Sequence, residues 1–182
     1  MLLLPFLFLI VTAKCFGGSE IPYNDPGLSV RSGITYYQDA PFTGKIRQPI
    51  PAVGEVRLTP YKDGVVHGTM VARGTSGQLL LRSEYAAGKK HGLQRTWYAD
   101  GRDRSFGEFA NGHYIGDHWA WHQNGKVMEF NRYDDRGKII ATKKWRSNGL
   151  IYMNLVFRDG QEFGLPGSKV CNPTSETAGT DL

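Results

Sequence analysis

Histidine is the side chain in this sequence best suited to bind a metal ion or to move a proton near neutral pH. The chain contains five, at His67, His91, His113, His118 and His122. On a helix, His118 and His122 would lie on one face, one turn apart. On a strand the same spacing separates them by about 13 Å. That is too far for two ligands of one zinc ion at about 2.0–2.1 Å each, so the secondary structure decides whether a metal site is possible.

The acidic residues could serve as a paired general acid and base only if the fold held two of them roughly 5–10 Å apart in a cleft. Glu84 and Glu108 are the candidates that are not next to a glycine turn. Three aspartates directly precede glycine, as is typical of turns: Asp63, Asp100 and Asp159. The segment Gly64-x-x-x-Gly68 lacks the Lys-Ser/Thr that completes a phosphate-binding loop. We therefore expect no catalytic site, no bound metal and no cofactor.

Four landmarks recur along most of the chain at steps of 24 residues. An aromatic residue opens each unit, at Tyr37, Tyr61, Tyr85, Phe109, Tyr133 and Phe157. Three glycine series follow, at Gly64, Gly88, Gly112 and Gly160, at Gly44, Gly68, Gly92, Gly116 and Gly164, and at Gly77, Gly101, Gly125 and Gly149. Trp97, Trp121 and Trp145 keep the same step. A fixed period of this size that holds its phase indicates a repeat architecture.

Local chemistry predicts that each unit is a pair of strands. Asp100-Gly101, Asn124-Gly125 and Asn148-Gly149 lie between apolar runs and favour tight hairpins with positive φ at both central positions. The Tyr-x-x-Gly-x-x-x-Gly stretch then supplies a wider turn into the next hairpin. A lone hairpin is only marginally stable, so we expect the units to pack side by side, with the opening aromatics as one ladder and the tryptophans as another. The predicted fold is all-β, an elongated single-layer meander of repeated β-hairpins with a 24-residue period.

This pattern resembles the variant MORN repeat (MORN-2 type), a bacterial family labelled antitoxin-like. The resemblance rests on the segments YKDGVVHG, YAAGKKHG and FANGHYIG, with the glycine-containing hairpins and tryptophans around them, and covers residues 37–164. Arg136 and Ile140 replace the first two glycines of one unit, so we expect a distorted turn there, with Gly137 in the role of Arg136. The resemblance implies a sheet used for binding or scaffolding.

The two ends of the chain lie outside the repeat. Residues 1–13, MLLLPFLFLIVTA, are apolar but too short to span a bilayer as a helix, which needs about 20 residues. They suit the core of a signal peptide, with a buried strand as the alternative. We therefore divide the chain into a signal peptide (1–13), an N-terminal linker or cap (14–36), the repeat sheet (37–164) and a C-terminal tail (165–182). The expected location is outside the cytoplasm, periplasmic or extracellular.

Two cysteines flank the repeat, Cys15 and Cys171. They could form a disulfide in an oxidising compartment if the N-terminal segment ran back along the sheet, because the bond requires Cα atoms within about 7 Å. Free or intermolecular thiols are the other possibilities. Cys15 could also carry a lipid anchor, although Lys14 stands where lipidation signals have a small residue.

Aromatic and basic residues mark the surface that we expect to contact a partner. Lys and Arg number 22 against 17 Asp and Glu, a net charge of +5. The candidate contact surface consists of Trp97, Trp121, Trp145, Lys89, Lys90, Lys143 and Lys144. Export argues against nucleic acid, so the expected partner is a protein or an acidic envelope component, with anionic lipid as a further candidate.

The sequence therefore predicts an exported, non-enzymatic repeat protein that acts as a protein- or envelope-binding scaffold. Two alternatives stay open. One is a module that binds anionic membrane surfaces, and the other is a cytoplasmic antitoxin-like protein that keeps its apolar start. The tryptophans could also be purely structural, in which case Trp121→Ala would prevent folding.

Overall fold

The computed structural model describes residues 19–167, and this part of the chain is built from β-strands and one 3₁₀ turn, Pro51–Val53. The strands are β1 (Glu20–Pro22), β2 (Leu28–Arg31), β3 (Ile34–Tyr37), β4 (Ala40–Pro41), β5 (Gly44–Ile50), β6 (Glu55–Lys62), β7 (Val65–Val66), β8 (Gly68–Gly74), β9 (Leu79–Ala86), β10 (Lys89–Trp97), β11 (Asp103–Ala110), β12 (His113–Trp121), β13 (Val127–Tyr133), β14 (Ile139–Trp145), β15 (Ile151–Arg158) and β16 (Gln161–Leu165). No helix in residues 19–167 has the length and apolar character needed to cross a membrane.

Most of the strands form one sheet that follows the chain. Its order is β1-β5-β6-β8 and then β9 to β16 in sequence, with β7 paired to β6. Neighbours from β5 onwards are antiparallel, and β1 joins the outer side of β5 in parallel. Strands β6, β9, β11, β13 and β15 begin at residues 55, 79, 103, 127 and 151, a constant step of 24. The predicted fold class, an all-β single-layer meander of repeated hairpins, is therefore confirmed.

The tight turns lie at the first glycine series. Between β9 and β10 the loop is only Ala87-Gly88, and both residues have positive φ, 47° and 79°. The same conformation recurs at Asp63-Gly64, Asn111-Gly112 and Asp159-Gly160. Positive φ at both central residues defines the type I′ turn, whose twist matches that of the flanking strands. The prediction that these segments form the wider turns is therefore wrong.

The third glycine series, at Asp100-Gly101, Asn124-Gly125 and Asn148-Gly149, instead forms the longer loops. The Gly101 N–H donates to Tyr98 O at 3.0 Å, and the Tyr98 N–H donates to Arg102 O at 2.8 Å. Gly101 has a φ of 86°, whereas Asp100 accepts the Arg102 N–H through Oδ1 at 3.0 Å. Asn124 and Asn148 accept in the same way. The Asp or Asn thus provides a side-chain acceptor, and the glycine alone needs the left-handed conformation.

One hairpin departs from the series. Where Arg136 and Ile140 replace the glycines, β13 and β14 are joined by residues 134–138 instead of a two-residue turn. Gly137 has a φ of 80°, and its N–H donates to Asp134 O at 3.0 Å. Asp134 Oδ1 also accepts the N–H groups of Arg136 and Lys138. This connection therefore has the hydrogen bonding of the longer loops.

The two faces of the main sheet differ in burial. Nearly all repeat side chains that are no more than 9% exposed lie on one side, here called the buried face: Met70, Ala72, Ser83, Phe109, Ala120, Asn131, Thr142 and Leu155. The opposite side, the open face, has Phe130 as its one buried side chain among the described residues. Register shifts recur in each repeat, with Gly92 and Gly116 at positive φ in two of them. Bulges of this kind bend a strand locally and increase its twist.

Equivalent aromatic residues do not stack directly on each other. Phe109 and Tyr133 lie on alternate strands, and Tyr114 of the intervening β12 contacts both, with ring centroids 4.1 and 5.3 Å away. The prediction of a ladder of equivalent rings is wrong, because residues one period apart are two strands apart, about 9.6 Å. Rings one period apart are therefore connected only where the strand between them contributes a ring of its own, as β12 does with Tyr114.

The start of the sheet carries a small second sheet, β2-β3-β4. The Phe42 ring lies 6.0 Å from the rings of both Tyr37 and Tyr61, and Phe42 forms a buried cluster with Ile21 and Ile46. The described part of segment 14–36, expected as a linker or cap, thus contains β1, β2 and the beginning of β3. The predicted signal peptide, both cysteines and residues 168–182 of the predicted tail lie outside the described residues.

Candidate binding face

The open face presents a row of aromatic side chains with a cation at each end. Arg95, Phe106, Trp119, Phe130 and Lys143 are successive cross-strand partners on β10 to β14, and we call these five residues the aromatic row. Side chains directly opposite each other in antiparallel strands have Cβ atoms about 4.5–5.5 Å apart, so the row is continuous. The rings of Trp119 and Phe130 are 4.5 Å apart.

A shallow groove of about 180 Å³ lies at one end of this row. Its lining residues are Arg82, Glu84, Leu93, Arg95, Trp97 and Phe106. The Arg95 guanidinium lies 5.5 Å from the Trp97 ring centroid and donates to both carboxylate oxygens of Asp103, at 3.0 and 2.8 Å. These hydrogen bonds raise the pKa of Arg95. The Asp103 carboxylate thereby holds the Arg95 guanidinium beside the Trp97 ring, on the wall of the groove.

A second arginine lies over the last ring of the row, next to its Lys143 end. Arg132 lies 5.5 Å from the Phe130 ring centroid and donates to Asp117 Oδ1 and Oδ2 at 2.6 and 2.9 Å. Hydrogen bonding by Arg132 lowers the pKa of Asp117. Both side chains of the pair are well exposed to solvent, which screens their attraction, so the pair contributes little to folding. Its main effect is to orient a guanidinium over an aromatic ring.

The three predicted contact tryptophans lie beside the aromatic row rather than in it. Trp97, Trp121 and Trp145 each end a strand before a longer loop and are half-buried on the open face. Tyr98 Oη donates to Trp121 O at 2.7 Å, and His122 Nε2 lies 2.9 Å from Trp145 O. Loops one period apart are therefore linked through the backbone of these tryptophans.

The four predicted contact lysines do not share one surface. Lys143 belongs to the aromatic row, whereas Lys144 faces the other way and lies 3.2 Å from Glu129 Oε1. Lys90 is also on the buried face, where it lies 4.8 Å from the Phe109 ring centroid. Lys89 is exposed beside a type I′ turn. Successive residues of a strand point to opposite faces, so consecutive lysines are necessarily separated.

Sequence reasoning overlooks most of the aromatic row, although the sequence contains a signal for it. Arg82, Phe106 and Phe130 are one period apart, and so are Arg95, Trp119 and Lys143. The two series alternate along the sheet as direct cross-strand partners. Applying the 24-residue period together with the two-residue alternation of strands would place both series on one face.

The buried face carries a polar row at its centre. It is formed by Ser83, Gln94, His118, Asn131 and Thr142, with Gly107 between Gln94 and His118. Asn131 and Thr142 are each 5% exposed, yet Asn131 Oδ1, Thr142 Oγ1 and His118 Nδ1 find no hydrogen-bond partner within residues 19–167. Burial lowers the pKa of His118, while the Glu129 charge acts in the opposite direction. Burial also lowers the pKa of Lys90.

The histidines do not converge in the described part of the chain. Residues 19–167 contain no group of three or more His, Cys, Asp or Glu side chains that could hold a metal ion. His118 faces the buried side of β12, and His122 contacts the backbone of the next longer loop. His67 and His91 are exposed.

The fold and the open face together define an all-β protein built from repeated hairpins. No protein-family model matches the chain, and no curated protein matches it. Among solved structures, the chain is similar to the crystal structure of TarM, with 15% identity and a TM-score of 0.34 over 60% of this chain and 21% of that one. A crystal structure of a mutant S. aureus TarM in complex with Fondaparinux, alpha-GlcNAc-glycerol and UDP gives 15% identity and a TM-score of 0.34 over 53% and 19%. The chain thus spans about a fifth of the length of these proteins, and a similarity at this level carries no functional argument.

Proposed function

We propose that this chain is an exported, non-enzymatic repeat protein of the variant MORN type that acts as a scaffold. It binds a protein or an acidic envelope component through its open face. The observation that carries the proposal is the aromatic row, in which Phe106 and Trp119 stay partly exposed and no strand of residues 19–167 packs over them. Exposed apolar patches rimmed by polar groups are typical of interaction sites.

The chemistry of the row favours an acidic partner. Arg95 and Lys143 stand at its two ends, Arg132 lies over Phe130, and the chain carries a net charge of +5. Aromatic residues and arginine are the side chains that most often dominate binding energy at interfaces. A partner with carboxylate or phosphate groups spaced along an apolar surface would complement both features.

The proposal assigns no chemistry to the chain. The groove beside Trp97 holds about 180 Å³, less than the roughly 300–1,000 Å³ of usual small-molecule sites. A shallow groove on an open sheet favours binding of a partner surface over catalysis, which usually needs an enclosed site.

Binding to an anionic membrane is the competing function. A flat bilayer can contact only one face of a sheet. The candidate lysines lie on both faces, with Lys143 on the open face and Lys90 and Lys144 on the buried one. This division favours a partner that contacts the aromatic row. Liposome flotation at rising salt separates the two: salt-sensitive binding to anionic vesicles, with none to neutral vesicles, would favour the membrane.

The aromatic row is tested by removing its two terminal charges. The variant Arg95→Gln with Lys143→Gln is compared with Arg136→Gln and Lys138→Gln, which removes the same charge from the exposed β13–β14 loop. We expect cross-linking of the tagged full chain to its partner in the envelope fraction to fall at least tenfold for the first variant and to be unchanged for the second. If both variants fold and cross-link to the partner equally well, the proposal is contradicted.

Export is tested separately by mass spectrometry of the mature N-terminus. Cleavage after the apolar run supports the exported scaffold. An intact start at Met1 in the cytoplasmic fraction supports the antitoxin-like alternative, and a lipid-modified Cys15 supports an anchored form.

A further inference from the structure

A second groove, of about 350 Å³, lies on the open face over β5, β6 and β8, at the other end of the sheet from β16. Its floor is apolar and consists of the half-buried Val56, Leu58 and Val71. Leu58 and Val71 are direct cross-strand partners, and Val56 precedes Leu58 by two positions on the same face. The floor is thus a continuous patch of branched side chains that no described strand covers.

Two arginines stand at diagonal corners of this floor. Arg47 is the cross-strand partner of Leu58, and Arg73 is the partner of Val56. Strand spacing places their Cα atoms about 12 Å apart, so both long side chains can reach across the patch. The arginines and the three floor residues together are called the arginine-rimmed groove.

The guanidinium groups of this groove are weakly engaged. Arg73 Nη1 donates to the backbone oxygen of Gly77 at 2.9 Å, and no described carboxylate forms an ion pair with it. Arg47 Nε lies 3.6 Å from Glu20 Oε1, and both side chains are about half exposed. An exposed pair of this kind is weak, so an incoming carboxylate can displace it.

We propose that the arginine-rimmed groove binds an apolar carboxylate. The hydrocarbon part lies on Val56, Leu58 and Val71, and the carboxylate accepts hydrogen bonds from Arg73, with Arg47 as the second cation. Guanidinium matches a carboxylate with two parallel N–H···O bonds, which gives both affinity and orientation. This site shares no residue with the aromatic row, so the result of its test does not depend on whether the chain is a scaffold.

Two sources present this chemistry, a fatty acid and the free C-terminus of a peptide with an apolar last residue. Isothermal titration of the full chain with octanoate and with the neutral 1-octanol tests the first. An acetylated pentapeptide ending in leucine, as the free acid and as the amide, tests the second. We expect at least one acid to bind at least tenfold more tightly than its neutral counterpart. If neither acid binds, or if acid and neutral forms bind equally, the proposal is overturned.

Matched variants locate the binding. Arg73→Gln should weaken binding of the acid at least tenfold and leave the neutral compound nearly unchanged. Arg136→Gln removes the same charge from the distant β13–β14 loop and should have no effect. Val71→Thr keeps the shape of the floor but adds a hydroxyl, and should weaken binding several-fold. Equal losses in Arg73→Gln and Arg136→Gln would show general charge attraction and overturn the assigned site.

Discussion

His118 and Asn131 oppose each other across β12 and β13 on the buried face, and His118 Nδ1 and Asn131 Oδ1 both find no hydrogen-bond partner within residues 19–167. Asn131 Nδ2 donates to Glu129 Oε1 at 2.8 Å, and the Tyr114 ring packs edge-on to His118 at 4.9 Å. An ionisable ring therefore lies beside a buried amide, where a proton on the ring is poorly solvated.

We expect the folded chain to lose stability in mild acid through His118. Burial lowers its pKa from the usual 6.5, and the Glu129 charge offsets this only in part. As the pH falls, the unfolded chain takes up the proton first. The stabilisation is therefore complete above about pH 6.5 and is lost as the pH falls through the folded pKa. Urea unfolding at several pH values between about 8 and 5 measures this loss.

The matched variants for that experiment are His118→Gln and His67→Gln. His118→Gln should reduce the slope of unfolding free energy against pH below about 6.5. His67 is exposed, so His67→Gln should retain the slope of the unmodified chain. Identical slopes in both variants would show that another group controls the acid response.

Gly107→Ala should destabilise the sheet because of its neighbours. A Cβ atom at residue 107 would lie 2.9 Å from Tyr114 Cε1 and 3.0 Å from His118 Cδ2, so both rings must shift. The expected cost is about 1–3 kcal/mol in urea unfolding. Gly112→Ala is the comparison: its Cβ meets open space, but the φ of 91° strains the backbone by about 1–2 kcal/mol. In NMR spectra, the ring resonances of Tyr114 should shift much more in Gly107→Ala than in Gly112→Ala.

Phe130→Ala should be the most destabilising truncation in the aromatic row. Phe130 is 9% exposed and its ring packs 4.5 Å from that of Trp119, so its loss should cost about 3–5 kcal/mol. Phe106 is half-buried, and Phe106→Ala should cost clearly less. Thermal and urea unfolding measure both. A larger effect at Phe106 would mean that the open face is covered in solution.

Asn148→Ala tests the role of the acidic or amide residue in the longer loops. Asn148 Oδ1 accepts the Leu150 N–H at 3.0 Å, and the loop is exposed, so the expected loss is about 0.5–1.5 kcal/mol. Asn148→Asp retains the acceptor and should stay close to the original stability. If Asn148→Asp were as destabilising as Asn148→Ala, the side-chain acceptor would not be what this position requires.

The turn assignment shows where sequence reasoning fails. Asp-Gly and Asn-Gly occur both in the tight turns, as at Asn111-Gly112, and in the longer loops, as at Asp100-Gly101, so the dipeptide does not distinguish the two. Loop length is fixed by the register of the paired strands, and that register puts the two-residue loop at Ala87-Gly88. The dipeptide at the turn does not contain this register, because the register depends on the side chains of both strands that the loop joins.

The 24-residue step of glycines, aromatics and tryptophans determined the all-β meander without any structure, since turn preferences and strand alternation are local properties of the chain. Only the tertiary structure decided which side of the sheet is buried, that Ala87-Gly88 forms a two-residue turn, and that Tyr114 contacts both Phe109 and Tyr133. Burial of one face depends on contacts between side chains of neighbouring strands, and no short stretch of sequence contains those contacts.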